Sequence, residues 1–102
     1  MAVVDSAAFL VYFERMDNTQ LASVQIAIDK ARSAALFRRP TKVFQDLVHG
    51  GNLAVLALHG AKPLEGGVPL IAGGKLVGAI GVSGGTPAQD SQCAQTGAAV
   101  LK

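Results

Sequence analysis

The dipeptide Gly73-Gly74, set between the apolar runs 68–72 and 75–83, narrows the fold more than any other stretch of the chain. Two adjacent glycines supply the positive φ values that a two-residue type I′ turn needs, so the flanking runs are predicted to pair as an antiparallel hairpin. The turn fixes a register, with Ala72 opposite Lys75, Ile71 opposite Leu76 and Leu70 opposite Val77. On the second strand Leu76, Gly78, Ile80 and Val82 then share one face, and Val77, Ala79, Gly81 and Ser83 the other. Neither face is polar, so both are expected to be covered, by helices or by another subunit. Gly78 and Gly81 leave a gap on each face where a backbone, a helix or a flat ligand can approach closely. Gly66-Gly67 opens the hairpin and Gly84-Gly85 closes it.

Upstream, residues 2–15 read as two short strands joined at Asp5-Ser6-Ala7-Ala8, because Val3, Val4, Leu10, Val11, Tyr12 and Phe13 are strong strand formers around a turn-like tetrapeptide. Met16-Asp17-Asn18-Thr19 breaks that pattern. From about Gln20 the apolar period becomes helical, with Val24, Ala27, Ile28, Ala31, Ala34 and Ala35 on one stripe and Gln25, Asp29, Arg32 and Ser33 opposite. Pro40 ends this helix, Thr41 is placed to cap a second one through Val43, Phe44, Leu47 and Val48, and His49-Gly50-Gly51 terminates it. Residues 52–58 give no decisive period and are assigned a further helical turn, followed by a loop at 59–63. Thr86-Pro87-Ala88-Gln89 is a capping box with proline at the first helical position, opening a last helix that runs to about Leu101.

A chain of 102 residues holds one core, so residues 1–102 are expected to form a single α+β domain. Half the residues are hydrophobic and 16% are charged, against roughly 25% charged in an average soluble domain. That is little charge to coat so small a body, and a homo-oligomer is expected to bury the remaining apolar surface. The net charge of +2 is spread without a basic stripe, which argues against nucleic acid as a partner. No apolar run approaches the roughly 20 residues of a membrane span, and no signal-peptide pattern opens the sequence. Together with a lone Cys93, these features point to a cytoplasmic protein.

Several residue patterns invite a chemical reading. Gly81-Val82-Ser83-Gly84-Gly85 matches the G-x-S-x-G pattern of a nucleophile elbow, but no histidine follows Ser83 and the capping signals start the helix at Thr86, so no catalytic residue is assigned there. Ser83, Gly84 and Gly85 instead offer backbone N–H groups at a helix start, where a carboxylate or phosphate fits, or simply a tight turn before a capped helix. His49, His59, Cys93 and the acidic residues do not cluster at metal-ligand spacing. Either histidine is able to serve as an axial haem ligand, because one imidazole suffices; helix-end and loop positions are the plainer readings. Arg15, Asp17 and Lys30 are candidates for the rim of an anionic-ligand pocket, or for an ordinary ion-paired surface.

Taken together, Phe13-Glu14-Arg15-Met16-Asp17, Ala27-Ile28-Asp29-Lys30-Ala31-Arg32, Gly66-Gly67-Val68-Pro69-Leu70 and Gly78-Ala79-Ile80-Gly81-Val82-Ser83-Gly84 resemble, in order and spacing, the motifs of the GlcG/HbpS-like haem-binding family. The resemblance spans nearly the whole chain. It implies a profilin-like antiparallel sheet built from hairpins with packed helices, and assembly into oligomers. It also implies haem or tetrapyrrole binding in some members, including the related C-terminal domain of PduO-type proteins. Two departures stand out. Members usually carry a helix before the first strand, at which this sequence begins, so a histidine ligand from that helix is absent and a sheet face is open or used in assembly. Their first turn is commonly glycine-rich, whereas Ser6-Ala7-Ala8 adopts positive φ less freely and is expected to form a wider turn.

The sequence therefore leads to a non-catalytic oligomeric binding protein whose pocket, near Arg15, Asp17, Lys30 and the turn Gly66-Gly67-Val68-Pro69, takes haem, another tetrapyrrole or a small carboxylate. Ser83, Gly84 and Gly85 are further ligand candidates. The alternatives are an enzyme acting on a small organic acid, with Lys30 or Asp17 in acid–base roles, and a structural assembly subunit without a ligand.

Overall fold

The computed structural model describes residues 1–15 and 21–99. Asp17, the break at 16–19 and the helix end near Leu101 lie outside them. Strands β1 (Ala2–Asp5) and β2 (Leu10–Phe13) form the first hairpin, helices α1 (Leu21–Phe37) and α2 (Lys42–His49) follow, and a 3₁₀ turn covers Leu53–Ala57. Strands β3 (Gly67–Ala72) and β4 (Lys75–Gly81) form the second hairpin, and α3 (Pro87–Ala99) follows. The four strands make one antiparallel sheet in the order β2-β1-β4-β3, an α+β fold.

The two hairpins meet through β1 and β4, where Val4 pairs with Ala79 and Val3 with Ile80. This sends Ala2, Val4 and Ala79 to one face, where they pack under Ala27, Ala31, Ala34 and Ala35 of α1. Small residues on both sides let α1 lie almost on the sheet. The approach is closest at Gly81, where a Cβ would run into the carbonyl of Ala27 and the amide of Ala31. On the opposite face Leu70 and Ile80 pack against Ala94 of α3. Pro69 is tolerated because β3 is an edge strand, where a missing N–H leaves no partner unsatisfied.

The structure corrects or narrows the sequence reading at five points. Leu70 pairs with Gly78, not Val77, because a bulge at Leu70/Ile71 adds one residue to β4. Beyond that bulge the hairpin tip is uncovered: Val77 is 48% and Ile71 46% exposed, so the chain's own helices cover only the glycine-rich half of the hairpin. Ser33 lies in the buried face of α1, where its Oγ accepts from the amide of Lys62 at 3.0 Å; this local partner outweighs the expected polar placement. Thr41 makes no side-chain cap for α2. Its Oγ1 instead accepts from the amide of Gly67 at 2.8 Å, and its own amide donates to the Gly67 carbonyl. Finally, the three-residue first turn reaches positive φ without glycine. Ala8 sits at φ 69°, held there because Asp5 Oδ1 accepts from the amides of Ala7 and Phe9.

Other expected features are present. Thr86 and Gln89 exchange side-chain and backbone hydrogen bonds as a capping box, at 3.2 and 3.0 Å. Gly51, at φ 95°, terminates α2 with its amide on the Val48 carbonyl and the Asn52 amide on Leu47. Residues assigned a further helical turn form the 3₁₀ segment.

At the end of β2 the Tyr12 hydroxyl donates to Glu14 Oε2 at 2.9 Å. That hydrogen bond, reinforced by the carboxylate's charge, raises the phenol above its ordinary 10.0. Tyr12 is the chain's single tyrosine. An ultraviolet titration is therefore expected to give one phenolate transition with a midpoint above 10.0, and Glu14→Gln should bring it back toward that value.

Candidate functional site

Where β4 runs out toward α3, the glycine-rich ends of the second hairpin gather around a buried ion pair. Lys30 of α1 reaches across the sheet end, and its Nζ donates to the Val82 carbonyl at 2.9 Å and to Asp90 Oδ2 at 3.2 Å. The two side chains are only 3% and 6% exposed. Asp90 Oδ1 accepts from the amide of Gly85, and Gly66 accepts from the amide of Val82. Gly66 has φ 129°, and a Cβ there would meet Val82 O, Lys30 Nζ and Asp90 Cβ at 2.7–2.9 Å. Gly67 is equally confined, between the Lys30 carbonyl and Thr41. Glycine is required at both positions so that a cation, a carboxylate and three backbone segments can converge.

The arrangement brings together Lys30, Gly66, Gly67 and Gly85 from the sequence candidates, but as a closed and internally paired node. Lys30 does not line an open pocket, and its amine is already engaged twice. The amides of Gly85 and Thr86, which would otherwise greet an anion at the start of α3, are taken by Asp90 and Gln89. Ser83 is half-buried and Gly84 opens onto free space. Pro69 is half-buried in β3, and Arg15 is exposed beyond the end of β2 with no ion-pair partner among the described residues.

A different stretch carries the two histidines among the sequence candidates. His49 closes α2, and His59 follows the 3₁₀ turn; both are exposed. The turn packs on α2. In a 3₁₀ helix residues three apart share a face, and Leu53 and Leu56, three apart, are 63% and 62% exposed. Leu47 and Leu58 are exposed beside them in the chain. Along the chain, His49 and His59 flank the exposed Leu53, Leu56 and Leu58, with the exposed Leu47 just before them. Single apolar side chains in solvent are ordinary, but four exposed leucines within twelve residues are a local concentration of apolar exposure. The sequence hid this because an apolar run without clear period reads as core. Among the described residues no three His, Cys, Asp or Glu side chains gather as a metal site, and no helix is long and apolar enough to cross a membrane.

The fold and sequence have known counterparts. Over 83 residues the chain is 44% identical to protein GlcG of Escherichia coli, covering 81% of this chain and 62% of GlcG. The chain thus spans less than two thirds of that curated relative's length. Among solved structures, a complex of PduOC with haem superposes with a TM-score of 0.87 at 30% identity, covering 99% of this chain and 76% of PduOC. A double mutant of Streptomyces reticuli HbpS superposes with a TM-score of 0.84 at 34% identity, covering 99% and 69%. The family model described as haem degrading protein HbpS-like matches residues 1–99. By its sheet order, its motifs and these matches, the chain belongs to the HbpS-like family.

Proposed function

We propose that this chain is a non-catalytic, oligomeric haem-binding protein whose ligand lies on the leucine surface between α2 and the 3₁₀ turn, with His59 as the iron donor. The observation that supports this most is the pairing of an exposed imidazole with exposed leucines, in a fold that superposes along 99% of its length on a haem complex. The donor chemistry fits, since haem iron is commonly held by one neutral imidazole and the macrocycle demands an apolar floor. His49, in the last turn of α2, is the secondary donor. A bound haem would supply the iron and its redox chemistry; the chain would supply the donor and the apolar floor.

Self-association is supported by the edge strand β2, which leaves Val11 61% exposed beside an unpaired backbone, with Phe9, just before the strand, 70% exposed. The lone Cys93 suits a reducing, cytoplasmic setting.

Titrating the purified protein with hemin is expected to give a saturable shift of the Soret band. His59→Ala should weaken binding by about tenfold or more, and His49→Ala by less. Absence of a saturable shift sinks the reading; an oligomer by light scattering with no ligand would favour a structural assembly subunit. The family's description supports a second reading, chemistry on the haem itself. It predicts that bound haem loses its absorbance in peroxide faster than free hemin does. For the small-acid enzyme, the Lys30 amine is buried and doubly engaged, which leaves the acid–base role to Asp17, outside the described residues.

A further inference from the structure

The opposite end of the sheet carries a second, chemically distinct feature. The tip of the β3–β4 hairpin, the β1–β2 turn and the end of α1 border an open cleft of about 380 Å³ lined by Ser6, Arg38, Gly74, Lys75 and Leu76. Two of these five residues are cations and none is acidic. Neither Arg38 nor Lys75 pairs with a carboxylate among the described residues. Asp5, next to Ser6 in the chain, already uses one carboxylate oxygen to hold the amides of Ala7 and Phe9.

Arg38 supplies an independent observation. It follows α1 directly and sits at φ 53°, in the left-handed region where helices usually end on glycine. A long cationic side chain there costs backbone energy that glycine would avoid, and such outliers concentrate at functional positions. The dipole of α1 contributes no attraction for an anion, since its C-terminal end faces this region; Arg39 Nε covers the Phe37 carbonyl at 3.0 Å. The attraction must come from the two side chains. Gly74, with nothing within 4 Å of a would-be Cβ, leaves room beside Lys75 for a ligand to approach the backbone.

We propose that this cleft binds a small oxyanion carrying two negative charges, held by the Arg38 guanidinium as a two-pronged donor and by Lys75, with the Ser6 hydroxyl as a neutral donor. The site is separate from the leucine surface and needs no haem. Inorganic phosphate and malonate serve as probes, titrated at constant ionic strength while the amide signals of Ser6 and Gly74 are followed by NMR. Saturable shifts confined to the cleft are expected for at least one probe, and the tighter one distinguishes a phosphoryl from a dicarboxylate ligand. Arg38→Gly and Lys75→Gln should each weaken that binding by about tenfold or more. Arg38→Gly should leave the melting midpoint unchanged or raised, since glycine suits the backbone. No saturation by either probe, shifts spread over all lysines and arginines, or undiminished binding in Arg38→Gly would overturn the assignment.

Discussion

Replacing Asp90 by alanine is expected to destabilise the folded protein by about 3–5 kcal/mol, the usual cost of stranding one member of a buried ion pair. For a domain near 100 residues each kcal/mol moves the midpoint by about 4–8 °C, so thermal melting should fall by at least about 12 °C. The reason is the surroundings of Lys30. Its amine is buried beside Gly66, and without Asp90 it keeps only the Val82 carbonyl. Asp90 also favours the start of α3 electrostatically, a smaller loss. The double variant Lys30→Met with Asp90→Leu should recover much of the stability, because an apolar pair leaves no charge unpaired and the exposed Gly85 amide can turn to water. A midpoint for Asp90→Ala within a few degrees of wild type would mean that the node is solvated and the described closure is wrong.

Gly81→Ala should also be severe, at about 3 kcal/mol, the upper end of what overpacking a core costs. The added methyl points at the Ala27 carbonyl and the Ala31 amide, both backbone atoms of α1 that no rotamer change can move. The helix would have to lift off Ala2, Val4 and Ala79, opening the alanine layer along its length. Gly50→Ala is the control. It sits at φ −79°, and its nearest neighbours would be at 3.5 and 3.6 Å, so its change should stay within about 0.5 kcal/mol. Chemical denaturation of the two variants checks the contrast. Equal midpoints would refute the close approach of α1.

Local signals were readable where one short segment contained both partners in a familiar motif; the Asp5 carboxylate that holds the first turn through the amides of Ala7 and Phe9 is the local exception. Thr86 and Gln89 cap α3 as their three-residue spacing implies, and Gly73-Gly74 makes the hairpin turn. The alanine stripe of α1 finds the sheet for the same reason: one period, one face. Polar residues on that buried face were not readable, because their partners are remote. Ser33 meets Lys62 after 29 residues and Lys30 meets Asp90 after 60. The β4 bulge escaped because both faces of the hairpin are apolar, so no polar residue marks the slip in register. Thr41 has the chemistry of a helix cap, yet Gly67 takes its hydroxyl, a contact only the folded chain creates.

The candidate site divides along the same line. The motif residues Lys30, Gly66 and Gly67 proved to be the packed junction of α1, β3 and α3, whose spacing reflects how closely backbones must meet. His49 and His59 gained meaning only when the 3₁₀ turn set Leu53 and Leu56 on one exposed face between them. A period of three over five residues is too brief to register in a sequence pattern.

The most direct test of this assignment is the amide NMR spectrum of the protein during a hemin titration, where paramagnetic iron broadens nearby signals. Broadening centred on residues 47–59, with the signals of Gly66, Gly67 and Gly85 intact at saturation, is the expected result. Broadening centred on those glycines, with residues 47–59 untouched, would contradict it.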